Sequence, residues 1–314
     1  MARKTVYNAI VTEEKWKLVN DKNKDLLEEF IEYLQSIDRS PGTIINYESD
    51  IRIAFIWALD KAKNKFFVDF NKRDFIKYQN HLLNVLNLSP NRIRRMRSSL
   101  SSLSNFIENI LDDEYEDFRN IVNKIPAPVK VAVREKTVLE DSQVQELLDI
   151  LVEQKKYQQA CALALAWSSG ARKSELLRFK VSYFKDENIK FGSLYKTPEK
   201  MKTKGRGSKG KLLDRYCLVS KIKPYLDLWL EERKRLEIND FDEIFIVKRK
   251  GEWVPMKVST LSSWAEAFSK KLNVDFYFHC LRHNFTTGLS KAGVPANVIK
   301  EIVGWESVEG CRLN

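Results

Sequence analysis

Cysteine is scarce in this chain, and the few cysteines are scattered. Four occur in 314 residues, with no Cys-x-x-Cys pair and no histidine at a metal-binding spacing from any of them. Histidine is just as rare, at three residues. The sequence therefore predicts neither a metal site nor a disulfide framework, and we expect free thiols that are mostly buried.

Long apolar runs are missing as well. No segment approaches the roughly 20 apolar residues that span a bilayer, and Met1 to Thr5 lead into no apolar signal sequence. The basic segment 200–211 departs from the G-x-x-x-x-G-K-[ST] pattern, so a nucleotide-binding loop is not indicated. We expect a cytoplasmic protein without a membrane partner.

Positive charge, in contrast, is in excess. Lys and Arg number 54 against 43 Asp and Glu, which gives a net charge of +11. This balance favours a polyanionic partner such as nucleic acid, although charge alone does not distinguish DNA, RNA and an acidic membrane. The length and the 43% of hydrophobic residues suffice for two domains with separate cores.

The first third of the chain has the pattern of a helical domain. Apolar residues at helical spacing begin near Lys24, and Ser40-Pro41 and Ser89-Pro90 each place a capping hydroxyl before a first-turn proline. Together with a helix predicted from Lys72 to Leu86, these signals predict four helices, the last ending near Ile110. The first twenty residues remain an extension or arm.

The fourth helix opens with four arginines. Such close cations repel one another unless a negative group lies opposite, and a DNA backbone is a suitable counterpart. A solvated basic face is the alternative. No aromatic residue lies among them, which argues against stacking on single-stranded bases. The predicted DNA-binding arginines are Arg92, Arg94, Arg95 and Arg97.

A change of composition near residue 125 predicts a domain boundary. Pro126 and Pro128 lie two residues apart, a spacing that fits neither a helix nor a central strand. Beyond it, the apolar helix around 160–167 should form the centre of a second domain, and 188–219 has the pattern of short strands. We predict a mainly α fold with a small antiparallel β-sheet in the second domain, an α+β class.

Three segments of the second domain carry anion-binding side chains. Arg172 follows the end of one helix and precedes Glu175, with which it forms either a phosphate-binding pair or a surface ion pair. His279 and Arg282 fall on one face if their segment is helical; structural histidines are the alternative. A glycine-punctuated basic hairpin at 200–211 either approaches a phosphate or forms a charged loop.

In chain order, G-A-R-K-S-E-L, T-K-G-R-G, H-C-L-R-H and G-W resemble the tyrosine recombinase (phage integrase) family. The element R-S-P-G-T-I-x-x-Y at 39–47 is similar to that family's core-binding domain. The resemblance implies a two-domain clamp around duplex DNA and strand exchange through a 3′-phosphotyrosine, without metal or cofactor. The implied domains are an arm (1–20), a SAM-like core-binding domain (21–124), a linker (125–136) and a C-terminally incomplete catalytic domain (137–314).

The resemblance also implies roles for single residues. Arg172 and Arg282 would hold the non-bridging phosphate oxygens, Glu175 would orient the pocket, and Trp305 would support the phosphate. Lys204 would be the general acid for the departing 5′-oxygen, with Lys202 as a weaker candidate, and His279 would assist proton transfer from the nucleophile. His283 would support this group, and the further DNA-binding candidates are Lys202, Arg206 and Lys209.

One position departs from the family pattern. The nucleophilic tyrosine would fall nine residues beyond Trp305, where Asn314 stands, and a carboxamide cannot attack phosphorus. The family's C-terminal helix, which docks on a neighbouring subunit, is also missing. We therefore expect a site-specific recombinase or integrase that does not cleave as written. The alternative is a non-catalytic DNA-binding regulator that occupies recombination sites.

The expected partners follow from the same resemblance. They are double-stranded DNA, further copies of the chain up to a tetramer, and a directionality factor. The expected location is the nucleoid of a bacterial or phage-infected cell. Type IB topoisomerases share the chemistry, but the two-domain layout favours recombination, with integration and excision both left open.

Overall fold

The computed structural model describes residues 5–131, 137–203 and 210–305. The described residues fall into two compact units, one formed by 5–131 and the other by the remainder. Each unit has its own hydrophobic core. No helix within the described ranges is long and apolar enough to cross a membrane.

The first unit is entirely helical, and its α-helices pack around one aromatic-rich core. They are α1 (Val6–Ile10), α2 (Glu13–Leu18), α3 (Asp21–Ser36), α4 (Pro41–Lys61), α5 (Lys72–Asn80) and α6 (Pro90–Ile110). The predicted third helix exists as α5, followed by a π-helical turn at His81–Val85.

The two predicted serine–proline helix starts are confirmed. Ser40 accepts a hydrogen bond from the backbone N–H of Thr43, and Ser89 accepts one from Arg92. In both helices proline occupies the first turn, where its missing N–H leaves no intrahelical bond unmade. Residues 5–20 pack on α4, since Tyr7 and Trp16 contact the core and Val19 is buried in it.

The second unit is built around one buried helix. Its α-helices are α7 (Asp141–Glu153), α8 (Tyr157–Ser169), α9 (Lys173–Leu176), α10 (Val219–Arg235), α11 (Val258–Leu272), α12 (Phe278–Lys291) and α13 (Ala296–Val303). Every residue of α8 from Ala160 to Ser169 is buried, and α7, α10 and α12 pack against it. Its alanines allow these close approaches, as the sequence predicted.

Short antiparallel strands complete the second unit. They are β1 (Ile189–Lys190), β2 (Leu194–Lys196), β3 (Met201–Thr203), β4 (Lys211–Leu213), β5 (Tyr216–Leu218), β6 (Ile246–Arg249) and β7 (Glu252–Pro255). β2 lies between β1 and β5, β3 pairs with β4, and β6 pairs with β7. The mainly α architecture with small antiparallel sheets is thus confirmed.

Two boundary predictions were wrong in this unit. The amphipathic pattern of 224–236 predicts a helix that starts at Pro224, but α10 begins five residues earlier, at Val219. Proline is favoured in the first turn of a helix, yet here it lies in the second turn, where it leaves one intrahelical hydrogen bond unmade. The apolar residues of 243–247 predict a strand there, whereas β6 spans Ile246–Arg249, where it pairs with β7.

Two glycines end helices beside the residues of interest. Gly170 ends α8 at φ +58° and Gly304 ends α13 at φ +70°, both in the left-handed region that favours glycine. A Cβ on Gly170 would lie 2.5 Å from Phe285 Cδ1, and one on Gly304 would lie 2.3 Å from Leu213 Cδ1. A side chain at either turn would therefore be strained, and it would require Phe285 or Leu213 to shift.

We predict that Gly170→Ala destabilises the second unit by at least about 1 kcal/mol, the cost of a left-handed residue that carries a Cβ. The matched control is Gly288→Ala within α12, where a Cβ meets nothing within 4 Å. That change should stabilise the unit by roughly 0.5–1 kcal/mol. Calorimetric unfolding of both variants measures the difference, and equal midpoints would contradict the prediction.

Candidate active site

Three helix ends of the second unit meet at one place. α8 ends at Gly170 and α9 begins directly after Arg172, so Arg172 lies in the turn between them. Arg282 lies in the first half of α12, and Trp305 follows the end of α13. Because α12 is helical here, His279 and Arg282 are one turn apart, as predicted.

Glu175 is the carboxylate at the centre of this arrangement. Its side chain is 1% exposed. Oε1 accepts a hydrogen bond from Arg172 Nη1 at 2.9 Å, and Oε2 accepts from the Arg172 backbone N–H and from Arg215 Nη2, both at 3.0 Å. Burial alone would raise the pKa of Glu175, but Arg215 and Arg172 outweigh it and hold the pKa below its ordinary value. Because Glu175 is buried and Arg172 is partly buried, the two do not form a surface ion pair.

Arg282 is buried behind this pair. Its Nη1 donates to the carbonyl oxygen of Gly170 at 2.9 Å and its Nη2 to that of Val303 at 2.5 Å. Its Cζ lies 5.7 Å from the ring centroid of Trp305. Burial first, and then the charges of Arg172 and Arg215, lower the pKa of Arg282 to about 9, so the guanidinium stays charged near neutral pH.

His279 lies at the exposed side of the same group. Its ring centroid is 5.0 Å from that of His283, with the rings nearly perpendicular. Withdrawal of solvent from the ring and then the positive charges of Arg282 and Arg172 lower the pKa of His279, while Glu175 opposes them. The imidazole is therefore neutral at pH 7 and able to accept a proton.

Arg215 belongs to this cluster and was missed by sequence reasoning. It is 1% exposed, and besides Glu175 it binds the carbonyl oxygen of Ile302 through Nη1 at 3.1 Å. The sequence held a signal: an arginine opens the apolar segment Tyr216–Val219. A cation within such a segment is buried with it and requires a buried partner.

The arginines of α6 have a negative partner inside the first unit. Asp50 of α4 is fully buried, and its Oδ1 lies 2.6 Å from Arg92 Nη2 and 3.2 Å from Arg95 Nη2. Its Oδ2 accepts from the hydroxyl of Ser99 at 2.9 Å. The counter-charge that the arginine spacing requires is therefore supplied in part by the protein itself.

The other two arginines of α6 bind the segment that follows the helical domain. Arg97 donates to the carbonyl oxygens of Val122 and Ile125, and Arg94 donates to that of Pro128 at 2.9 Å. Residues 125–128, predicted as the start of the linker, are thus fastened to α6. Contact of the four arginines with DNA stays a prediction.

Comparison with known proteins identifies the family. The phage integrase family model matches residues 137–312, and the model of the phage integrase N-terminal SAM-like domain matches residues 26–117. This chain belongs to the phage integrase family. The resemblance drawn from the short motifs is confirmed.

Relatives of this integrase-family chain match it over most of its length. The SPbeta prophage-derived recombinase-like protein YomM of Bacillus subtilis is 32% identical over 261 residues, which is 82% of this chain and 74% of YomM. Tyrosine recombinase XerA of Pyrococcus horikoshii is 27% identical over 297 residues, or 93% of this chain and 88% of XerA.

Solved structures show the same fold. XerH site-specific recombinase bound to difH substrate matches with a TM-score of 0.63 at 17% identity, over 96% of this chain and 86% of that one. A lambda integrase dimer bound to a COC′ core site matches with a TM-score of 0.64 at 19% identity, over 99% of this chain and 84% of that one.

Several predicted site residues of this integrase-family chain lie outside the described ranges. These are Lys204, Arg206, Lys209 and Asn314. Lys202 is described: it lies exposed in β3, and its carbonyl oxygen accepts a hydrogen bond from Arg178. The structure therefore brings Arg172, Glu175, His279, Arg282 and Trp305 together and adds Arg215, while the roles of all of them stay predictions.

The lowered pKa of His279 predicts a pH-dependent stability. Because the unfolded chain, with a histidine pKa near 6.5, binds the proton more readily, the free energy of unfolding of the second unit should fall as the pH drops from about 7 towards 5. His279→Gln should flatten this dependence. The control is His81→Gln, which removes a histidine of lowered pKa from the first unit. Calorimetry at several pH values measures the unfolding of both variants. An unchanged slope in His279→Gln would contradict the assignment.

We predict that Asp50→Asn destabilises the first unit by about 3 kcal/mol, because it leaves two arginines without their buried counter-charge. The control is Glu48→Gln on the same helix, which breaks the partly exposed i,i+4 pair with Arg52. That loss should be about 0.5 kcal/mol. Urea unfolding of the two variants measures the contrast, and equal losses would argue against Asp50 as the central partner.

Proposed function

We propose that this chain acts in site-specific DNA recombination and holds one phosphodiester of duplex DNA at the Arg172–Arg282 cluster. The observation that carries the proposal is the convergence of Arg172, Arg215 and Arg282 with His279 around one carboxylate, Glu175. Three guanidinium groups and one carboxylate leave an excess of two positive charges. A partly buried site with that excess favours an anion that carries two negative charges in its transition state.

The guanidinium of Arg172 is partly exposed, and it is the one that can turn to a phosphate. Arg172 Nη2 makes only a long contact of 3.5 Å with the carbonyl oxygen of Gly304, and the Arg172 side chain is 23% exposed. Arg282 is buried, and its guanidinium is fixed by hydrogen bonds to two carbonyl oxygens, so it contributes its charge from a fixed position. Such preorganised donors stabilise the charge that develops on non-bridging oxygens during phosphoryl transfer.

The proposed chemistry is that of a tyrosine recombinase. A tyrosine oxygen forms a bond to phosphorus, the bond from phosphorus to the 5′-oxygen breaks, and that oxygen receives a proton from Lys204. Neutral His279 accepts the proton of the attacking hydroxyl. Asn314 occupies the position proposed for the tyrosine, so we propose that the chain as written binds and positions DNA without forming the covalent intermediate.

Asn314 also favours a second function. A chain with the phosphate-holding residues and no hydroxyl at residue 314 could occupy recombination sites as a DNA-binding regulator. Duplex DNA as the partner is supported by the structural neighbours: XerH is bound to difH substrate, lambda integrase to a COC′ core site, and the Tn1549 transposon integrase is in complex with transposon right end DNA. The lambda integrase structure is a dimer, which supports the proposal that copies of this chain assemble on DNA.

The test uses a DNA duplex that is selected from a randomised pool by its binding to the wild-type chain. The selected duplex is then nicked beside the sequence that the chain prefers. Asn314→Tyr should form a covalent protein–DNA adduct on a denaturing gel, because it supplies the hydroxyl. Asn314→Phe, which adds the ring without the hydroxyl, should form none. Arg172→Ala in the Asn314→Tyr background should slow adduct formation roughly 100- to 1,000-fold with little change in DNA affinity.

The outcomes separate the two functions. Selective binding without an adduct from Asn314→Tyr would support the regulator and reject the enzyme. An adduct from Asn314→Phe would show that another residue is the nucleophile. No preference for any duplex would reject both functions.

A further inference from the structure

We propose that Arg215 is a positioning residue that fixes the Glu175 carboxylate and, through it, the guanidinium of Arg172. Its effect on DNA cleavage rests on the proposed function, whereas its effect on Glu175 does not. Arg215 is 1% exposed, so it acts through its protein partners and not by contact with DNA.

The backbone of Arg215 is anchored before its side chain begins. Its N–H donates to the hydroxyl of Thr197 at 3.1 Å, and its carbonyl oxygen accepts from the backbone N–H of Thr197 at 3.0 Å. Thr197 is itself buried and directly follows β2. The guanidinium therefore extends from a fixed point beside the three-stranded sheet.

The guanidinium joins two parts of the site that are far apart in sequence. Nη2 donates to Glu175 Oε2 at 3.0 Å, and Nη1 donates to the carbonyl oxygen of Ile302 at 3.1 Å. Ile302 precedes Val303, whose carbonyl oxygen accepts from Arg282. Arg215 thus links the partner of Arg172 to the turn that holds Arg282. The planar fork of an arginine suits this task, because its two Nη atoms can face two acceptors at once.

Loss of this link would reach Arg172 in two ways. The carboxylate of Glu175 could rotate, since its Oε2 would keep only the backbone N–H of Arg172, and the Nη1 contact of Arg172 would follow it. The buried carboxylate would also lose a cation that offsets its burial. In both cases the side chain that faces the phosphate would lose its fixed direction.

A matched arginine separates positioning from stability. Arg233 of α10 is 4% exposed and, like Arg215, donates hydrogen bonds through both Nη atoms, here to backbone carbonyl oxygens that include those of Ile244 and Phe241. It contacts none of the residues of the cluster within the described structure. Arg233→Lys therefore measures the general cost of shortening a buried arginine.

The first experiment measures single-turnover adduct formation in the Asn314→Tyr background, with protein in excess over DNA and below all unfolding midpoints. Arg215→Lys should slow the reaction roughly 10- to 100-fold, as expected when a catalytic group is misplaced by about 1 Å. Its DNA affinity should stay within about threefold, and Arg233→Lys should change the rate less than about twofold. In a Glu175→Gln background, Arg215→Lys should slow adduct formation by less than a further factor of about three, because the carboxylate through which Arg215 acts is absent.

The second experiment does not depend on cleavage. Carbon-13 NMR of labelled glutamate, assigned with Glu175→Gln, follows the titration of the Glu175 carboxyl in the wild-type chain, Arg215→Met and Arg233→Met. The pKa of Glu175 should rise in Arg215→Met alone. If Arg215→Met does not fold, Arg215→Lys replaces it. The carboxyl resonance of Glu175 should then shift, because one ammonium group cannot bridge Glu175 and the carbonyl oxygen of Ile302.

An unchanged Glu175 resonance and titration, or equal rate losses in Arg215→Lys and Arg233→Lys, would overturn the role of Arg215. Absence of any adduct from Asn314→Tyr itself would reject the proposed enzyme function instead. The NMR titration would then decide on Arg215 alone.

Discussion

The arrangement of the second unit depends on one buried carboxylate. Glu175 is the only carboxylate that bonds to the cationic cluster among the described residues, and without its charge Arg172 and Arg215 would face each other uncompensated in a poorly solvated place. A lone guanidinium at that depth costs several kcal/mol. Glu175 therefore permits positive charge to accumulate there while leaving the cluster cationic overall.

The end of α13 complements the same charges. The carbonyl oxygens of Ile302, Val303 and Gly304 lack intrahelical donors, as expected in the last turn of a helix, and they accept from Arg215, Arg282 and Arg172 in that order. The carboxyl end of a helix also carries partial negative charge. The turn that leads to Trp305 thus serves as a second, weaker counter-charge that brings the three arginines together without neutralising them.

Local signals in the sequence predicted several of the helices. The serine–proline caps, the apolar α8 and the helical spacing of His279 and Arg282 each depend on neighbouring residues, and each is present as predicted. Pairings over long sequence separations were not predictable in this way. Arg215 lies 40 residues from Glu175, and Asp50 lies 45 from Arg95, so neither pair has a local spacing. The starts of α10 and β6 also depend on tertiary packing and not on the residues at the boundary.

The close packing of Leu213 against Gly304 has a mechanical consequence. Leu213 ends β4, and the other strand of that hairpin, β3, is tied to the segment after α9 by the bond from Arg178 to the carbonyl oxygen of Lys202. Strands β3 and β4 are therefore held between the segment after α9 and the turn that precedes Trp305. These two contacts set the position of the described strands β3 and β4 relative to Arg172 and Trp305.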